Sequence, residues 1–92
     1  MKLQDALFNW LQMKIVAAAR PDDWAAGETL AFFEEILHED HELDELDMKA
    51  ADEETIEVNY RDKAGSMQTM RFPREMAEKL LTDIQAEPKY NQ

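Results

Sequence analysis

His38 and His41 stand three residues apart in the stretch LHEDHELDELD, Leu37 to Asp47, among six acids. Imidazoles and carboxylates at this density suit a borderline divalent ion such as zinc or nickel. If one helix ran through both histidines, side chains three apart would share a face, and Glu34 or Glu42 could complete a ligand set. The order is His-Glu-Asp-His, however, and not the HExxH pattern that puts two imidazoles and a general base in register. The helix holding His38 also frays near His41, where ligands would lack a stiff frame and outer hydrogen-bond partners. The stretch therefore reads as a solvated helix end, with His38, His41 and Glu42 the residues a metal would use. No metal and no cofactor is assigned.

Other chemistries fare no better. A carboxylate pair of the glycosidase kind needs two unlike environments, one acid buried and one solvated, whereas the acids here sit in similar polar settings. Ser66 is the only serine and lies in a turn-forming segment, and Gly27 and Gly65 are the only glycines, so no phosphate-cradling loop can be built. Cysteine is absent, which removes thiol nucleophiles, disulfide frameworks and cysteine zinc sites together. The expectation is a protein that is not an enzyme.

Charge is the one compositional extreme, −11 overall, and it is unevenly placed. Residues 21–58 carry fifteen acids against Lys49 alone, while the two flanking segments are slightly basic. Nucleic acid attracts proteins through phosphate neutralisation, so this balance excludes it as a direct partner. A basic protein surface is attracted instead. The partner-binding candidates are Glu39, Asp40, Glu42, Asp44, Glu45 and Asp47. A sharper variant is nucleic-acid mimicry, with carboxylates in the role of phosphates. Crowding of like charges should also raise carboxyl pKa values, so that the fold gains stability as pH falls or salt is added.

The elements that must position these residues can be read from hydrophobic period. Leu3, Leu7, Leu11, Ile15 and Ala18 recur at helical spacing and predict a helix over 3–19, stopped by Pro21. Its apolar residues, with Phe8, Trp10, Met13 and Val16, occupy more of the circumference than one partner helix covers, so the sheet or a second subunit should take up the surplus. Asp22 or Asp23 can cap a second helix over 23–39 with Ala26, Leu30, Phe33 and Leu37 inward, and the short turn makes an antiparallel helical hairpin. Trp10, Trp24, Phe32 and Phe33 read as core, with a hydrophobic groove or dimer face as the other option. Gly27 costs helix stability, which close packing on the first helix would offset.

Beyond His41 the period changes to two. Strands are expected at about 45–50, 55–61 and 67–72, with Ile56, Val58 and Tyr60 marking the clearest. The segment Asp62-Lys63-Ala64-Gly65-Ser66 supplies a hairpin turn, and Pro73 fits the first position of a last helix over 73–86. Arg61, Lys63, Arg71 and Arg74 gather near the hairpin as edge charges that discourage strand addition. Residues 88–92 read as a loose tail.

The result is an α+β order, α-α-β-β-β-α, in one domain spanning 1–92, with 45% apolar residues to fill a single core. The N-terminal residues lack a signal-peptide core, and the longest apolar run is far below the ~20 residues of a membrane span. A cytoplasmic, membrane-free protein is expected. Function is undetermined by motif and is read from charge: a small non-catalytic interaction or regulatory module for a basic protein surface. The alternatives are a homo-oligomer or homodimer through the first helix, a nucleic-acid mimic, and a metal-dependent enzyme at His38 and His41.

Overall fold

A computed structural model describes residues 1–87. The first helix, α1 (Leu3–Ala19), and the second, α2 (Trp24–Glu39), form the expected antiparallel hairpin. Arg20 closes α1 through its amide to the Val16 carbonyl, and its guanidinium reaches Asp23 at 3.2 Å across the turn. Asp23, not Asp22, caps α2: its Oδ1 accepts from the Ala26 amide at 3.0 Å. One orphan donor of the first turn is satisfied in this way.

Three strands follow, β1 (Asp44–Ala50), β2 (Thr55–Arg61) and β3 (Met67–Pro73), in spatial order β1-β2-β3 and antiparallel throughout. The central strand alternates as its sequence does. Ile56, Val58 and Tyr60 are buried beneath the helices, and Thr55, Glu57, Asn59 and Arg61 face outward, half exposed. Gly65 makes the β2–β3 turn with φ at +84°, a left-handed conformation that a Cβ would oppose. Pro73 pairs with Thr55 and caps the last helix, α3 (Arg74–Ala86), from outside. It therefore stands one residue before the helical position expected of it, because Arg74 donates its amide to Glu54 and starts the helix there. The tail at 88–92 lies outside the described residues.

The six elements share one core. Ala6, Leu7, Trp10 and Leu11 of α1 lie among Leu37, Leu43, Ile56, Val58, Tyr60, Phe72 and Ala77, with Leu46 and Met48 of β1 packed against them. Phe8 meets Phe72 at a ring distance of 5.6 Å. The wide apolar circumference of α1 is thus explained within the chain: α2 covers one side, α3 another, and core residues of the sheet a third.

Two expectations about α2 are overturned. Gly27 is exposed, and a Cβ built there would meet nothing within 4 Å, so no close packing on α1 compensates for it. Trp24 and Phe32 are not core either; they are 77% and 56% exposed. The inward stripe is carried by Ala26, Leu30, Phe33 and Leu37, and Trp24 and Phe32 fall on the other side of the helix from it.

Candidate functional site

The acidic stretch is not one surface but a helix end, a loop and a bulged strand. The α2 carbonyls are closed by the Asp40 amide on Ile36 and by the Leu43 amide on Leu37, with Glu42 in the left-handed region at φ 55°. Leu43 is buried and anchors the loop. His38 Nδ1 lies 3.2 Å from the Leu43 carbonyl, and His41 Nε2 lies 3.0 Å from the Met1 carbonyl. A carbonyl only accepts, so each of these ring nitrogens carries a proton and donates it. The two imidazoles are therefore used as fasteners for the helix end and the chain start, and they address different carbonyls. Among the described residues no group of three His, Asp or Glu side chains is placed to hold a metal ion.

Glu42 approaches Lys63 at 4.0 Å. Next to it, His41, Asp40, Asp62 and Lys63 ring an open depression of about 520 Å³ with Tyr60 in its wall. Burial, and then the charge of Asp62, pushes the Tyr60 phenol up, so it stays protonated at neutral pH. Asp62 itself accepts from the Ala64 and Ser66 amides and from Gln68, which organises the hairpin turn and holds its carboxyl below the usual range, the Ser66 amide contributing most.

In β1 the register slips by one residue between Asp44, opposite Arg61, and Asp47, opposite Asn59. Glu45 takes up the extra residue at φ 52°, a β-bulge. Arg61 clamps it, bonding Asp44 Oδ2 and lying 3.3 Å from Glu45 Oε1. The hydrogen bond from Arg61, then the Glu45 amide, lowers the Asp44 pKa, and Asp44 with Glu45 raises that of Arg61. Asp23 is also lowered, chiefly by the Ala26 amide and next by Arg20. Crowding of acids was expected to push carboxyls up. These three move down because each has donors in contact, and contact outweighs distant like charge in water.

Of the six partner-binding candidates, Asp44 and Glu45 are thus tied to Arg61 and Glu42 lies near Lys63, while Glu39, Asp40 and Asp47 have no cation in contact among the described residues. The basic residues of the hairpin region are similarly engaged. Arg71 and Lys49 flank Glu57 at 3.0 and 3.7 Å, and Arg74 meets Glu78 at 3.1 Å.

The exterior of α2 is organised differently. The helix contains no Lys or Arg, and Glu28, Glu35 and Glu39 stand exposed beside Trp24 and Phe32. Glu34 alone of its acids has a clear internal task, accepting from the indole of buried Trp10 at 3.4 Å. Reading the aromatics as core hid this face. The signal was present: Trp24 and Phe32 are eight apart and lie off the Ala26–Leu30–Phe33–Leu37 stripe.

No protein-family model matches the chain, and no curated protein or solved structure resembles it at a significant level. No helix among the described residues is long and apolar enough to cross a membrane.

Proposed function

We propose that the protein is a non-catalytic interaction module that binds a basic protein surface. The observation that carries this reading is charge segregation. Arg20, Lys49, Arg61, Lys63, Arg71, Arg74 and Lys79 are each engaged by an acid of the same chain, so the negative excess falls on acids without such a contact among the described residues, chiefly Glu28, Glu35, Glu39 and Asp40 of α2 and its end, and Asp47, Asp52, Glu53 and Glu54 of β1 and the turn after it. An uncompensated field of one sign steers a partner of the other sign and sets its association rate. The absence of cysteine suits a reducing compartment such as the cytoplasm.

Affinity capture from lysate, washed at rising salt, tests the reading. A captured protein with a basic surface, whose association rate falls steeply as the screening length shortens, is the expected result. A partner that is acidic, or one whose association rate ignores salt, would count against it.

A further inference from the structure

From the outward face of α2 we infer the partner's form: a basic amphipathic helix that lies along Trp24 and Phe32. This rests on the reading above and narrows it to one face and one kind of ligand.

Trp24, Glu28, Phe32, Glu35 and Glu39 follow one another in steps of three or four residues, so they form a single ladder along the exposed side of the helix. Its two large apolar members are exposed and eight residues apart, about 12 Å along the axis. Aromatic side chains of that size are the usual anchors of protein interfaces, and here Trp24 is left 77% exposed and Phe32 56%, the latter meeting Phe33 edge-on at a ring distance of 5.3 Å. The acids between and beyond them meet no cation among the described residues, so a partner must bring its own positive charge.

Gly27 adds a separate argument. It lies inside the helix, has no left-handed backbone to justify it and no neighbour within 4 Å of a Cβ. A glycine there costs helix stability and gains nothing internally. Placed one turn from Trp24 and about 60° round the helix from it, it leaves the flank of the ladder beside Trp24 bare of a side chain, where a second helix can approach.

A second copy of the chain is the poorer occupant. Two α2 faces brought together would set Glu28, Glu35 and Glu39 against the same residues in a protein of net charge −11. A partner helix with Lys or Arg at the matching three- and four-residue spacing, and Leu-like residues between, removes that repulsion and covers both aromatics.

The test is a titration with a synthetic Lys/Leu amphipathic helix of about 18 residues, long enough to span the ladder. A peptide of equal charge without the Leu face serves as control. Trp10 is buried, so a change in tryptophan emission reports Trp24. The expected result is a blue shift with the Lys/Leu peptide only, amide shifts gathered on residues 24–39, and at least about tenfold weaker binding by Phe32→Ala and by the triple variant Glu28→Gln, Glu35→Gln, Glu39→Gln. The triple variant removes no buried group, so it separates lost binding from lost folding. Shifts gathered on the sheet, or undiminished binding by both variants, would overturn the α2 assignment while leaving the wider reading in place. No binding of either peptide at low salt would overturn both. A concentration-dependent dimer of the protein alone, abolished by Phe32→Ala, would assign the face to a second copy instead.

Discussion

The outer face of the sheet and the outer face of α2 are both solvated and both rich in acids, yet they treat charge in opposite ways. On the sheet, Glu57 of the central strand sits between Lys49 and Arg71, and Arg61 gathers Asp44 and Glu45. Thr69 donates to Asn59 in the row between at 2.6 Å. The acids of the Glu57 and Arg61 rows are met by cross-strand cations, the arrangement that stabilises an exposed sheet face, while Asp47 at the end of the Asn59 row meets no cation among the described residues. On α2 no such closure exists, and two aromatics stand in water among the acids. The acids of one surface are largely engaged by cations of the same chain, and those of the other meet none among the described residues. A count of charge along the sequence does not separate them, because pairing is decided by strand register and not by composition.

The largest effect tests whether the two faces belong to one cooperative body. Leu7 is fully buried where the helices meet the sheet. Leu7→Ala should cost about 2–5 kcal/mol, through lost burial and the cavity left behind. Denaturation followed by tryptophan emission and by far-UV dichroism should remain a single transition shifted to lower denaturant. Separate transitions for hairpin and sheet would mean that the two faces treat charge differently for unrelated reasons.

The sharpest test of the contrast is a pair of glutamates. Glu57→Ala leaves Lys49 and Arg71 facing each other across the central strand and should cost about 1 kcal/mol after allowance for screening. The Glu57 side chain is only 13% exposed, so its removal is felt more than that of a fully solvated acid. Glu35→Ala on α2 removes no partner and should change stability by less than about 0.5 kcal/mol. Equal losses in chemical denaturation would erase the distinction. Gly27→Ala goes further in the same direction. With open space around the new methyl group, it should stabilise by about 0.5–1 kcal/mol. A fall in Tm would show that the glycine serves the isolated fold after all.

Much of the fold was legible because its signals are local. The switch from helical to alternating period near His41, the acid before α2 and the glycine of the hairpin turn each report a nearby backbone state, and the α-α-β-β-β-α order follows from them. The site was less so. His38 and His41 suggested ligands, but their partners are the backbone carbonyls of Leu43 and Met1, which carry no sequence signature. The dispersal of the acids depends on a one-residue bulge at Glu45 that places Arg61 over both Asp44 and Glu45. Trp24 and Phe32 were misread because large apolar residues in a small domain are ordinarily core. Their offset from the inward stripe carried the information that their type concealed.

The smallest effect is that of pH, and its sign separates acids held by donors in contact from acids that only crowd one another. Asp44 and Asp62 on the sheet side, and Asp23 at the α2 cap, have carboxyls held below the ordinary range by the donors they accept from. Above about pH 5 these groups are ionised in both folded and unfolded chains, and their contribution is fully present. As pH falls further the unfolded chain takes up protons first, so the contribution is lost through the lowered folded values. Tm should therefore fall below about pH 5 instead of rising, as simple crowding of acids would require. Arg61→Ala should lower Tm at neutral pH, and its deficit should shrink in acid, where protonated Asp44 no longer holds the guanidinium in the native protein either. A Tm that climbs steadily from pH 7 to pH 3 would mean that repulsion among the crowded acids outweighs the contacts made by Asp23, Asp44 and Asp62.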